Sequence, residues 1–382
     1  MTIHMVDTIT QYQHIQNEVD QAVLEVIRSG KFINGPAVKA FKAHLAEYLD
    51  VPHVIPCANG TDALQIALMA MGLEPGDEVI TPTFTYIATV EVIALLRLRP
   101  VFVEVDPVTY NMDPAALEAA ITDKTKVILP VHLYGRAADM SPILEIAKKH
   151  NLRVLEDTAQ AIGADCHLAD GRTLKAGTVG DIGTTSFYPS KNLGAYGDGG
   201  AIFTRDDELA DKLWVICNHG SRKKYYHESI GVNSRLDSIQ AAILDVKLGQ
   251  LDRYTDNRRA AARVYDRLLA DVAGVETPQW EDNGSHVFHQ YTLKIEAGRS
   301  VRDALRANLA EKGIPSMVYY PVPIHLQDAY REYGYQEGDF PGSERLSEVV
   351  LSLPMHSELT EAHQTHIVET LRQILTSLSI TK

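Results

Sequence analysis

Short apolar runs recur through the first two hundred residues, at 53–57, 78–81, 101–105, 126–131, 152–156, 184–188 and 200–204, several of them rich in Val and Ile. Between them lie stretches with helical spacing of apolar positions, over Thr61–Met71, Ala88–Leu96, Pro114–Ile121 and Ser141–His150. Short continuous apolar runs suit strands buried on both faces. Their alternation with helices predicts an α/β architecture, a mostly parallel mixed sheet covered on both sides with its ligand near the strand ends. An amphipathic helix is expected before the first strand, over about Gln11–Ser29, ended by Gly30. Later the pattern changes. A tract from about Leu236 to Val272 carries few breakers and reads as a long helix bridging two parts of the molecule. Beyond it, strand-like Tyr291–Ile295, helical Arg302–Lys312, strand-like Ser316–Tyr320 and a helical tail from Thr360 give an α+β pattern. The boundary is placed near residue 250, with 1–250 as the large domain and 251–382 as the small C-terminal domain.

Composition narrows the possibilities. The 382 residues are 45% hydrophobic and 23% charged, an ordinary globular balance, and a chain this long rarely has one core. A net charge of −14 argues against nucleic acid or anionic membranes as partners, though not against a small anionic substrate. Cys57, Cys166 and Cys217 are widely spaced and suggest neither a metal site nor a disulfide framework, so a reducing compartment is expected. The start, Met1 to Asp7, lacks a basic flank leading into an apolar stretch. The most apolar region, Val90–Val105, is broken by Arg97, Arg99 and Pro100, so no membrane span is expected and the cytoplasm is the default.

Three segments carry candidate chemistry. Asn59-Gly60-Thr61-Asp62-Ala63 joins a strand to a helix, where free amides and the macrodipole favour a phosphate and Gly allows close approach. It is equally a turn with a helix cap. Val154–Gln160 ends a strand in an acid, Asp157, at the edge where α/β proteins hold ligands. That acid could face a pyridine nitrogen, with Gln160 reaching a ring hydroxyl, or it could cap a helix. Thr185–Gly194 brings Ser186 to a strand end and Lys191 five residues later, followed by the glycine cluster Gly197-Asp198-Gly199-Gly200. A lysine between Pro189 and glycines is not a typical surface lysine, and burial would lower its pKa toward the nucleophilic amine. A phosphate loop, an aromatic segment, a strand-end acid, then Ser and Lys follow one another along the chain, and together they offer the groups a pyridoxal-phosphate site uses.

In these segments the chain resembles the sugar-nucleotide aminotransferases of the DegT/DnrJ/StrS class, pyridoxal-phosphate enzymes of fold type I. The resemblance runs from Gly30 to the C-terminal tail and is most specific over Ala58–Leu64, Glu156–Gln160, Ser186–Gly200 and Gly231–Asp237. It implies pyridoxal 5′-phosphate as cofactor, pyridoxamine 5′-phosphate as its aminated form, L-glutamate as amino donor, and no metal. It assigns Gly60, Thr61 and Ser186 to the cofactor phosphate, and Tyr86 of Thr83-Phe84-Thr85-Tyr86 to stacking on the ring. Asp157 takes the ring nitrogen, Gln160 the ring hydroxyl and Lys191 the Schiff base. By the same resemblance Asn233 reaches the phosphate of a neighbouring subunit, which implies a homodimer with shared active sites. Arg235, Tyr319, Tyr320 and His325 fall near the nucleotide-sugar substrate. Without the resemblance Tyr86, Tyr319 and Tyr320 could be packing residues, and Arg235 could pair with Asp237.

Lys191, where a dehydratase branch of the superfamily carries His, favours transamination; Thr158, for a commoner Ala, is a small departure beside the ring. The run His219–Tyr226 is cationic and could meet a nucleotide or simply be a solvated loop. Within the family the chain is more similar to members that aminate the third sugar carbon, particularly those acting on a UDP-linked N-acetyl-3-oxo-glucuronate in bacterial O-antigen synthesis. A dTDP-linked 3-keto-6-deoxyhexose or a C4-keto-sugar stays open. A non-catalytic cofactor-binding regulator is a remoter reading, without a DNA-binding domain to support it. A nicotinamide dehydrogenase would need a Gly-x-Gly-x-x-Gly after the first strand, which is absent from the sequence.

Overall fold

The computed structural model describes residues 2–380. Its main sheet has seven strands: β1 (His53–Cys57), β2 (Glu78–Pro82), β3 (Arg99–Val103), β4 (Thr125–Ile128), β5 (Arg153–Asp157), β8 (Ile182–Ser186) and β9 (Gly200–Thr204). A hairpin of β6 (Asp165–His167) and β7 (Thr173–Lys175) lies between β5 and β8 in sequence. The sheet order is β1-β9-β8-β5-β4-β2-β3, and β9 alone runs against its two neighbours. The sheet is therefore mostly parallel. Val54, Val79, Ile80, Val127, Ile128, Leu155, Ile182, Ile202 and Phe203 are fully buried in it, as expected where helices cover both faces.

This topology carries the C-terminal ends of β1, β2, β5 and β8 to one edge. Register fixes the alignment: Gly200 pairs with both Cys57 and Ser186, so the chain leaving β1 and the chain leaving β8 emerge side by side. The loops beyond those ends hold nearly all the cofactor residues named above.

A second core gathers around the small sheet β10 (Val275–Glu276), β11 (Tyr291–Ile295) and β12 (Val350–Leu353). Helices Leu251–Leu269, Arg299–Glu311 and Glu361–Ile380 pack on it through residues including Tyr265, Leu305, Leu309, Ile367 and Leu371. Tyr265 and Tyr291 stack at 4.8 Å between centroids. Ile3 also packs into this core and Met355 N donates to Met5 O, so the first residues cross to it from the rest of the N-terminal half.

Several expectations need correction. The helix expected over Gln11–Ser29 is two, Thr8–His14 and Gln16–Ser29, because Ile15 leaves the helical region; Gly30 closes the second in a left-handed conformation. The long tract from Leu236 breaks at Gly249-Gln250 into Ser238–Leu248 and Leu251–Leu269, a glycine being a poor interior helix residue. Ser316–Tyr320 forms no strand. Only Met317 bridges to Ser352, and the third position of the small sheet is taken by β12. Helices Pro36–Leu49, Asp207–Cys217 and Pro341–Val349, and the β6–β7 hairpin, were not anticipated. No helix among the described residues is long and apolar enough to cross a membrane.

Candidate active site

Helix Gly60–Ala70 starts where β1 ends. Asn59 caps it, its side-chain oxygen accepting the Asp62 amide at 2.8 Å, so the plain capping role is present. The cap leaves the first amides, at Gly60 and Thr61, without intrahelical partners. They lie against the end of β8: a Cβ at residue 60 would sit 2.7 Å from Ser186 Cβ, and one at residue 200 would sit 2.4 Å from Asn59 O. Two glycines and a serine thus let three backbone segments converge at a helix N-terminus, a cradle suited to a phosphate.

Asp157 closes β5 and is buried. One carboxylate oxygen accepts the Thr89 hydroxyl at 2.8 Å and the other the Ala159 amide at 3.0 Å. The second bond is the local turn that the sequence also allowed; the first comes from 68 residues away and fixes the carboxylate from the far side. Thr89 is a hydroxyl on the buried face of the apolar helix Ala88–Leu95, with Thr85 Oγ1 at 3.2 Å. Sequence reading overlooked it. A polar residue among Ala88, Val90, Val92 and Ile93 was the available signal.

Gln160 is held at both ends of its amide. Its oxygen accepts the Tyr134 amide at 2.8 Å and its nitrogen donates to Tyr320 Oη at 3.0 Å. Tyr134 donates its hydroxyl in turn to the Tyr319 carbonyl. The segment expected to be a strand is therefore held against the loops after β4 and β5. Tyr86 is 55% exposed, with its ring 6.2 Å from that of Tyr320. It is not a core tyrosine, and its face is available.

Lys191 lies in the tight turn after β8. The turn is fastened by Lys191 N to Tyr188 O, Ala195 N to Phe187 O and Phe187 N to Gly199 O, at 2.7–2.8 Å. The next residue, Asn192, donates to Val287 O at 2.8 Å and ties the turn to the segment before β11. The lysine side chain is only partly accessible, and its ammonium makes no hydrogen bond or ion pair with any described residue. Burial pushes its pKa down to about 8, against the pull of the Asp157 carboxylate. A lysine amine that is partly deprotonated and has no protein partner could hold a carbonyl carbon covalently.

The remaining expected residues divide. Asn233 is exposed and bridges to Asn218; Arg235 is half-buried and pairs with no acid among the described residues, Asp237 included. Neither reaches inward as core. His325 sits against Thr83, just beyond the end of β2. It is 1% exposed, with one ring nitrogen 2.7 Å from Thr83 Oγ1 and the other 3.1 Å from Glu344 Oε1. Both nitrogens are engaged within the chain, so His325 anchors the loop beside Thr83. The cationic run is an exposed loop in which Arg222 pairs with Asp211 and Glu228, while Lys223 and Lys224 lie over the rings of Tyr226 and Tyr225.

Behind Asp157, the buried trio His132, Glu156 and Cys166 has ligand types close together. Glu156 and His132 are already bonded in another way. Glu156 accepts the amides of Gly177, Val179 and Gly180 at 2.7–3.0 Å, and His132 Nε2 at 2.9 Å. His132 Nδ1 accepts the Ala138 amide, so Nε2 carries the proton. This is a structural hub that holds the end of β5.

The DegT/DnrJ/EryC1/StrS aminotransferase family matches residues 13–372. The chain belongs to this family. It is 52% identical over 371 residues to a "pleiotropic regulatory protein" of Geobacillus stearothermophilus, with 97% of each chain covered. It is 44% identical to the UDP-2-acetamido-2-deoxy-3-oxo-D-glucuronate aminotransferase of Pseudomonas aeruginosa, covering 94% of this chain and 97% of the relative. Other members at 40–44% identity have names carrying UDP-, dTDP- and GDP-linked sugars. Among solved structures, NtdA of Bacillus subtilis with bound cofactor PMP matches with a TM-score of 0.87 at 33% identity, over 97% of this chain and 83% of that one.

Proposed function

We propose that this chain moves the amino group of L-glutamate onto the third carbon of a UDP-linked N-acetyl-3-oxo-glucuronate, in the cytoplasmic synthesis of a bacterial surface polysaccharide. It is a pyridoxal-phosphate-dependent sugar-nucleotide aminotransferase. The observation that carries the site assignment is the unpartnered Lys191 amine at the strand-end edge shared by Asp157 and the Gly60–Ser186 cradle.

The residues present fit the cofactor. The cradle that a Cβ would fill accommodates a phosphate, with Thr61 and Ser186 supplying hydroxyls. Tyr86 offers an uncovered ring face, Asp157 a fixed carboxylate, Gln160 a second amide hydrogen, and Lys191 a free amine for the aldehyde carbon. When bound, the cofactor's ring takes up the electron pair left as the C–H bond beside the amino nitrogen breaks. The Lys191 amine would accept that proton and return it to the neighbouring carbon, acting as base and then as acid. Its pKa of about 8 keeps both forms accessible near neutral pH. Asp157 would stabilise positive charge at the ring nitrogen, its carboxylate held in place by Thr89. Tyr319, Tyr320 and Arg235 line the approach for the sugar nucleotide. Arg235, half-buried and without an acidic partner, suits a carboxylate or diphosphate.

Assembly as a homodimer with shared sites is part of the same reading. It is supported by the exposure of Asn233 on a segment beside the large exposed side chains of Tyr225, Tyr226 and Ile230. The UDP-linked 3-oxo substrate is supported by the two relatives at 44% identity whose names carry 3-oxo or 3-dehydro UDP-sugars. A regulator without turnover is the second reading, prompted by the name of the 52% identical relative. Purified protein mixed with glutamate and a panel of UDP-, dTDP- and C4-keto-sugar nucleotides separates these. The proposal expects fastest amination of the UDP-linked 3-oxo-glucuronate. Preference for another keto-sugar overturns the substrate, and failure to form 2-oxoglutarate overturns catalysis.

A further inference from the structure

The junction between helices Ser238–Leu248 and Leu251–Leu269 buries positive charge without neutralising it. Lys247 is 1% exposed and Arg258 2%, and neither pairs with an acid among the described residues. The Lys247 ammonium lies 5.0 Å from the centre of the Tyr196 ring and has no hydrogen-bond acceptor there. Arg258 Nη1 donates to Phe288 O and Met355 O at 3.0 Å each, but its Nε has no partner. Glu358, the acid whose field reaches Arg258, is engaged by His14 at 2.9 Å. Hydroxyls add to the imbalance. Tyr196 Oη, Tyr254 Oη and Thr255 Oγ1 are buried and unpartnered. Tyr254, Thr255 and Arg258 share the buried face of one helix.

The charges respond as an uncompensated cluster would. Burial and then Arg258 push Lys247 down to about 7, and the same two causes push His356 down to about 4. Nearby His289 is likewise held neutral by burial, Lys191 and Arg258. The nearby acids Glu358 and Asp20 are engaged elsewhere, by His14 and by Tyr12 and Gln16. The unpartnered groups at the junction are donors or can be, and an acceptor-only, negatively charged ligand answers both deficits. Ordered water would satisfy the hydroxyls while leaving Arg258, and Lys247 whenever it is protonated, without counter-charge, a costly arrangement for a protein interior.

We propose that this junction binds one small monovalent inorganic anion of the halide class, held by Lys247 and Arg258 with hydroxyl donation from Tyr196, Tyr254 and Thr255. The ion pins the first helix of the small domain, which carries Arg258, to the last helix of the large one. The site uses none of the groups assigned to the chemistry at Lys191, so its failure would leave the aminotransferase reading untouched.

The test uses the holoenzyme. Crystals grown in sodium bromide should show an anomalous peak between Lys247 and Arg258. Melting at equal ionic strength should give a higher Tm in chloride or bromide than in gluconate, on the order of 2 °C. Lys247→Met should abolish that difference while leaving turnover intact. Absence of the bromide peak, or a halide effect that survives in the variant, overturns the proposal. If the variant does not fold, the bromide peak in the unaltered protein decides alone.

Discussion

Gly60 and Ser186, 126 positions apart in the chain, meet so closely that a single added Cβ at residue 60 would lie 2.7 Å from the serine Cβ and 3.2 Å from its Cα. Neither atom is the end of a flexible side chain, so a substitution must push apart the helix start and the end of β8. Gly60→Ala should weaken cofactor retention about ten- to hundredfold, the equivalent of a modest overpacking cost. Dialysis of the holoenzyme followed by absorbance of the retained cofactor measures it. Unchanged retention would mean that the phosphate lies elsewhere.

Thr89 and Asp157 form the second long-range contact of the site. Thr89→Val keeps shape while removing a hydrogen bond to a carboxylate, a loss of about 1.5–3 kcal/mol. The kcat should fall roughly ten- to hundredfold with little change in KM for glutamate. A rise in KM at constant kcat would instead place Thr89 in ground-state binding.

The positions of these contacts explain what the sequence could and could not disclose. Asp157, Lys191 and Gly60 were legible because each ends or follows an apolar run at a strand edge, where local pattern and chemistry coincide. Thr89, Tyr134 and the Glu156 hub were not, because their partners come from other loops and only the sheet order brings them together. Ser316–Tyr320 misled for a related reason. Alternation there resembles a strand, but the Tyr319 carbonyl is taken by Tyr134 and the Tyr320 hydroxyl by Gln160. His325 sits near the expected substrate in sequence, and Thr83 and Glu344 occupy both its nitrogens.

Lys191 should titrate near pH 8 in the cofactor-free protein, against an ordinary value of 10.5. At pH 7 its amine should react roughly three hundredfold faster with an acylating reagent than an unperturbed lysine of equal access. The linkage has a definite sign. Between about 8 and 10.5 the unfolded chain binds the extra proton, so the cofactor-free protein gains stability as pH rises through that window. Below it the cost of the buried charge is constant. Melting curves of cofactor-free protein and Lys191→Met across the window should differ in slope; parallel curves would contradict the low pKa.

Glu156 predicts a purely structural effect. Glu156→Gln leaves part of the amide cluster of Gly177, Val179 and Gly180 without an acceptor, costing about 3 kcal/mol of stability. The Tm should fall, and a chelator should leave the Tm of the unaltered protein unchanged. A chelator-sensitive Tm would make His132, Glu156 and Cys166 a metal site after all.

The central claim is covalent: the Lys191 amine holds the cofactor. Borohydride reduction of the holoenzyme, followed by digestion and peptide mass analysis, tests it most directly. The account predicts that the cofactor's mass remains fixed to the peptide containing Lys191 and is absent from it in Lys191→Ala. A reduced adduct on any other lysine, or none at all, would contradict the account.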